Sequence, residues 1–197
     1  MPRPKLNLNQ FLANWQLRFP NCEPVPHFLR QEFGERWVRF HSFPESRTDP
    51  KSTDEFLAAL DRHNRILGEL VDTERTVVLL TTEYSETSRP VRTNADLLKL
   101  DPDARFWRTV LVDDDPDDPI YWHVFASVWE WRPGRFNPIV QLIIADILAN
   151  VMIVDPACRW LLHPYYAGMD IIAESETSRD LLKANFSQWL SSHPEGL

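Results

Sequence analysis

Glycine is scarce in this chain: five occur in 197 residues, at positions 34, 68, 134, 168 and 196, and no two lie close together. A phosphate-binding loop, a dinucleotide fingerprint and a Gly-x-Ser-x-Gly nucleophile elbow all need glycine where the backbone approaches a phosphate or an oxyanion, so each is excluded. Cysteine is scarcer still, with Cys22 and Cys158 alone. Two thiols cannot build a structural zinc site by themselves and no Cys-x-x-Cys occurs, so a reducing compartment and free thiols are expected. His-Glu-x-x-His is also missing, and neither metal nor cofactor is expected. No apolar run is long enough to cross a bilayer: the most apolar segment, Leu142–Val154, is broken by Asp146 and Asn150. Met1–Asn9 carries no apolar signal core, which leads to the expectation of a cytoplasmic protein.

Positive charge is in deficit too. The formal net charge is −8 and the isoelectric point about 5.2. A nucleic-acid binder gains its affinity by neutralising phosphates, so this balance argues against nucleic acid and equally against an anionic membrane surface. It permits a basic protein partner. The run Asp113-Asp-Asp-Pro-Asp-Asp lacks the glycine and the closing glutamate of a calcium loop and reads as a solvated hairpin connection.

What the chain has in quantity is apolar and aromatic. Hydrophobic residues make up 43%, with 11 Phe, 8 Trp and 4 Tyr, enough for a real core and incompatible with disorder. Sixteen prolines point to stiff connections. One domain over 1–197 is expected, the first 26 residues being an N-terminal helix (8–18) and a proline-rich connection. Further helices are read at 27–33, at 54–71 behind the capping box Ser52-Thr-Asp-Glu55, at 137–148 behind Asn137-Pro138, and from Ser175 or Thr177 to about Ser191. Strands are read at 36–41, 76–82, 106–112, 120–132, 151–154, 159–163 and 169–173, with 164–168 as a turn. Helices do not alternate regularly with strands and hairpins dominate the second half. The expected fold is α+β, a largely antiparallel sheet with flanking helices.

The strand from Ile120 to Arg132 holds three of the eight tryptophans. Alternation places Tyr121, His123, Phe125, Ser127, Trp129 and Trp131 on one face. Aromatic bodies with polar tips suit either a second core layer or a half-wet recognition surface, and in the second case the end near Trp129 and Trp131 is expected to be exposed. Among the histidines, His41, His123 and His163 fall on strands or strand ends, and His63 on the apolar stripe of its helix. A metal or acid–base site follows only if pairing brings some of them together; singly they read as hydrogen-bonded structural residues. Asp170 sits in an apolar strand just after a glycine, either as an acid of raised pKa or as a carboxylate that holds the hairpin.

Three segments carry a resemblance: Arg36-Trp-Val-Arg-Phe-His-Ser-Phe-Pro-Glu-Ser46, Arg62-His-Asn64, and His163-Pro-Tyr-Tyr-Ala-Gly-Met-Asp-Ile-Ile172 followed by the tryptophan-bearing Trp189–Leu197. Together they resemble an uncharacterised bacterial family, domain of unknown function three-eight-eight-five. The resemblance implies no activity. It marks Arg39, His41, His63, Asn64, Tyr165, Tyr166 and Asp170 as the matching polar positions. Three functional readings remain: a non-catalytic protein-binding module, immunity- or antitoxin-like, with a basic partner; a hydrolase using His41, His63 or His163 with Asp170; or a small-molecule module using the aromatic strand. The binding residues expected are Trp129, Trp131, His123, Tyr165, Tyr166 and Asp170.

Overall fold

The computed structural model describes residues 7–44, 47–71, 73, 75–115 and 118–190. Among these are six helices and seven strands: α1 (Leu8–Arg18), α2 (Pro26–Glu32), β1 (Trp37–His41), α3 (Thr53–Leu70), β2 (Thr76–Ser85), α4 (Ala95–Leu100), β3 (Arg105–Asp113), β4 (Ile120–Glu130), α5 (Asn137–Ile144), β5 (Met152–Val154), β6 (Leu161–Tyr165), β7 (Gly168–Ile172) and α6 (Glu176–Asn185). The strands form one sheet in the order β1-β7-β6-β5-β2-β4-β3, and every neighbouring pair is antiparallel. The fold is α+β, as the element order predicts.

Local chemistry sets the element ends. Ser52 caps α3 by accepting from the Glu55 amide at 3.2 Å, while the Glu55 carboxylate turns back to Lys51 N at 2.6 Å and to Arg47. Ser175, not Thr177, caps α6. That helix stops at Asn185 and a 3-10 turn, Ser187–Trp189, follows; the expected end at Ser191 lies outside the described residues, as do Met1–Leu6, Glu45–Ser46 and, in the acidic connection, Pro116–Asp117. α5 is four residues shorter than expected, because Asp146 takes φ 55° and turns the chain. β6 starts two residues late. The Asp155 carboxylate accepts from Ala157 N, Arg159 N and the Arg159 side chain, winding 155–159 into a turn with Cys158 at φ 55°. β6 then runs on through Pro164, expected to be part of a turn. β5 pairs only with Leu161 and Leu162, so the missing N–H of Pro164 has no strand waiting for it on that side.

Paired residues of an antiparallel ladder share a face. One face carries Val78, Leu80, Val124, Ala126, Met152, Val154, Leu161 and Ile172, and it is covered by Phe11, Trp15 and Phe19 from α1 and its end, and Leu29 from α2. The opposite face carries Val38, Phe40, Leu79, Trp129, Ile153, Leu162, Met169 and Ile171, under α3, α5 and α6. Cys22 and Cys158 are both buried and free. No helix among the described residues is long and apolar enough to cross a membrane.

Candidate functional site

The face covered by α1 and α2 is apolar across β5, β2 and β4 and becomes polar at the β1–β7–β6 end. Register explains this. Arg39 of β1 lies opposite Asp170 of β7, and Asp170 lies opposite His163 of β6. The next row joins His41, Gly168 and Tyr165. A side chain at Gly168 would not fit: its Cβ would lie 2.3 Å from the Phe40 carbonyl oxygen and 3.0 Å from the Tyr165 hydroxyl. Glycine here lets β1 and the Tyr165 ring close over the hairpin. The turn itself is Tyr166–Ala167, with Tyr166 42% exposed at the tip.

Above these rows, α2 is started by Pro26 at its first position and presents His27 and Arg30. With Asn150, these residues and Arg39, His163, Tyr165 and Asp170 enclose a cavity of about 230 Å³. Arg39 donates from Nε and Nη2 to the two Asp170 oxygens at 2.7 and 2.8 Å. Its guanidinium lies 5.3 Å from the Trp37 ring centroid and 5.2 Å from that of Tyr165. Arg30 lies over the other part of the same stack, 4.7 Å from Trp37.

The hydrogen bond to Asp170 raises the Arg39 pKa against the pull of burial, so Arg39 stays charged. Burial pushes His163 down to about 4, outweighing the attraction of Asp170, so its imidazole is neutral near pH 7. Its Nδ1 is closed off from water and makes no hydrogen bond. Burial, helped by Asp170, raises Tyr165 above the ordinary phenol range and keeps its hydroxyl protonated. The lining therefore offers two guanidinium groups, a phenol, an amide and two imidazoles against one carboxylate, and both oxygens of that carboxylate are already engaged by Arg39.

The residues singled out by sequence divide sharply. Tyr165, Asp170 and His163 come together in the cavity; Tyr166 is not in its lining and lies at the hairpin tip, its ring 6.1 Å from that of Tyr165. Trp129 and Trp131 do not join them. The exposure expected at that end of the strand is absent: Trp129 is 4% and Trp131 9% exposed. The aromatic face is a second core layer. Trp129 packs 5.2 Å from Phe136 and donates from Nε1 to Ser127 Oγ at 2.8 Å, which donates to Asp101 at 2.6 Å. His123, wholly buried on that same face, is tied to Thr109 and Ser85 hydroxyls, each at 2.9 Å. His63 lies in the core under α3, bonded to the Ala59 carbonyl. Asn64 joins α3 to Asn137 and to Gly134 N, and Arg62 donates to the His41 carbonyl at 2.8 Å. Four of the marked polar positions therefore hold the fold: Asn64 and His63 by bonding backbone or neighbouring helices, Arg39 and Asp170 by pairing. Arg30, His27 and Asn150 were missed, since nothing in a seven-residue helix or a loop asparagine distinguishes them before the sheet is assembled. Among the described residues no cluster of three His, Cys, Asp or Glu is placed to hold a metal ion.

A family model described as Domain of unknown function (DUF3885) matches residues 25–194, and the chain belongs to that family. No curated protein and no solved structure matches it.

Proposed function

We propose that the protein is a non-catalytic protein-binding module, immunity- or antitoxin-like in kind, and that the cavity beside α2 receives an anionic group of the partner, an acidic side chain or a terminal carboxylate. The observation that carries this is the donor excess around Arg30 and Arg39. Asp170 cancels one of the two cations and leaves a net positive site inside a chain of charge −8. Charge complementarity is decided locally, because exposed charges are screened over about 8 Å at physiological salt. The chain-wide charge steers a basic partner, while the contact chemistry at this cavity favours a carboxylate.

Size supports a side chain rather than a free substrate. The cavity, about 230 Å³, falls below the roughly 300–1,000 Å³ of small-molecule sites. The hydrolase reading has less support: the lining holds no Ser, Thr or Cys, its one carboxylate is held by Arg39, and the two other histidines weighed for it, His41 and His63, are not in the lining. The small-molecule reading loses its platform with the burial of the aromatic strand.

Titration of the labelled protein with N-acetyl-glutamate methylamide, read by amide and arginine side-chain resonances, tests the proposal. Saturable shifts at His27, Arg39 and Tyr165 are expected, with affinity about tenfold weaker in Arg30→Gln, the equivalent of about 1.4 kcal/mol. Inorganic phosphate binding tightly while the glutamate derivative does not would move the site to a small anion. Absence of saturation with either probe overturns the reading.

A further inference from the structure

The face covered by α1 and α2 extends beyond its cover at the other end of the sheet. Along β2 the side chains on that face are Leu80, Thr82 and Tyr84, and along β4 they are Ala126, Val124, Trp122 and Ile120, by alternation. Leu80, Val124 and Ala126 belong to the core under α1 and α2, and Thr82 is still buried. One row further out the burial ends. Tyr84 is 60% and Ile120 38% exposed, and Trp122 is half-buried. Tyr84 pairs with Trp122, which pairs on its other side with Val110 of β3, so three strands contribute to one apolar floor.

A tyrosine beside a tryptophan, both open to water on a sheet, is the composition of an interface anchor. β3 and β4 run directly from this floor into the acidic connection between them. Ile120 lies opposite Asp113, and Asp113, Asp114, Asp115 and Asp118 are all exposed. Ile120 follows Asp118 by two residues and precedes Trp122 by two more, about 7 Å each way along a strand. Rings and carboxylates therefore lie within reach of one short segment of chain. On the same face Arg108, opposite Val124, is paired with Glu23, to which it donates at 2.5 Å.

We infer that this open end of the sheet is a docking surface for a basic segment of a protein partner, an apolar side chain lying on Tyr84, Trp122 and Ile120 and the lysines or arginines beside it meeting the aspartates of the β3–β4 connection. Charge selects the occupant. An acidic segment is repelled by the connection, and a second copy of this chain would bring its own aspartates and its own charge of −8 to the contact. A basic segment is steered toward it. Charge alone is not enough, because exposed ion pairs are weak and screened by salt; the Tyr84–Trp122 pair supplies the centre from which water is expelled. The inference rests on the reading that the protein binds another protein, but it uses the end of the sheet away from α2, and its probe carries the opposite charge.

The probe is acetyl-Leu-Phe-Lys-Lys-Lys-amide, with acetyl-Leu-Phe-Glu-Glu-Glu-amide and acetyl-Ser-Ser-Lys-Lys-Lys-amide as controls. The Tyr84 and Ile120 amides and the Trp122 indole N–H report on the surface. The first peptide is expected to shift them saturably, and each control to bind about tenfold more weakly. Tyr84→Ser removes an exposed ring and is expected to weaken the first peptide about fivefold. Should Tyr84→Ser fail to fold, Asp114→Asn combined with Asp118→Asn, in the exposed connection, decides and is expected to give a similar loss. No saturable shift, an equal response to either control, or unchanged affinity in the folded variants overturns the inference. Saturable shifts here with no response to the glutamate derivative at His27, Arg39 and Tyr165 would keep this surface and remove the cavity beside α2; the reverse result overturns this surface alone. Dimerisation of the unliganded protein in sedimentation equilibrium, abolished by Tyr84→Ser, would assign the surface to a second copy and overturn the partner assignment.

Discussion

Acid should destabilise this protein through His63 before most of its carboxylates titrate. His63 is 1% exposed on the buried stripe of α3. Its Nδ1 donates to the Ala59 carbonyl at 2.8 Å, and its Nε2 has the Gly168 carbonyl near it but no well-directed hydrogen bond. The Ala59 and Gly168 carbonyls both favour the charged ring, yet burial outweighs them and pushes the pKa down to about 4. In the unfolded chain the value is about 6.5. The unfolded state therefore binds the proton first as pH falls, so the contribution is complete above about pH 6.5 and is lost progressively down to about pH 4. The full difference corresponds to roughly 3 kcal/mol, and about 2 kcal/mol of it disappears between pH 7 and pH 5. Urea unfolding of the wild type and His63→Leu at pH 7, 6 and 5 isolates this share, because other titrating groups are common to both. The gap between the two stability curves should change by about 2 kcal/mol over that range, the wild type losing more. Parallel curves would refute the argument and show that His63 is charged, or reaches water, in the folded protein.

Two further outcomes follow from burial. Trp129→Ala should cost about 3–5 kcal/mol of stability, with Ser127 losing its indole donor, whereas Tyr166→Ala should cost well under 1 kcal/mol; equal, small losses in urea titration would restore the aromatic strand as a surface. Cys22 and Cys158, whose thiol pKa values burial raises to about 11 and about 12, should resist iodoacetamide at pH 8 when folded and react promptly in urea; protection in both states relieved only by reductant would mean a disulfide.

Much of the architecture was legible because it depends on local signals. The alternation of β4, the capping serine of α3 and the Asn137-Pro138 start of α5 each use a period or a cap that acts within a few residues. What was not legible depends on distant partners. Nothing within Ile120–Arg132 reveals that Phe136, Leu97 and α5 lie over its polar-tipped face, so core and surface were equally consistent with it. The shift of β6 arises from Asp155, whose carboxylate turned out to organise the following turn. At the site, Asp170 was visible as an anomaly in an apolar strand, but its partner stands 131 residues earlier. Only the pairing of β1 with β7 brings Arg39 to it.

The Arg39–Asp170 pair is a poor device for stability. Its side chains are only 19% and 15% exposed, and desolvating two ions offsets most of what their attraction returns, so an apolar pair of similar volume would serve a core as well or better. It is a good device for position. The two-pronged contact fixes the guanidinium plane between Trp37 and Tyr165, and that stack in turn sets where Arg30 can lie. α2, which carries Arg30, has little helix of its own to define its place. It is held instead by Leu29, buried among Phe11, Trp15 and Phe19. α1 and the connection after it, which supply those three aromatics, precede the segment matched by the family model, which begins at residue 25. The cavity thus has two supports: a charged pair and its hairpin inside the family segment, and an aromatic cluster outside it that sets the height of α2 above the sheet. The pair sets the orientation of the stack at this cavity, and the cluster supplies its dimensions.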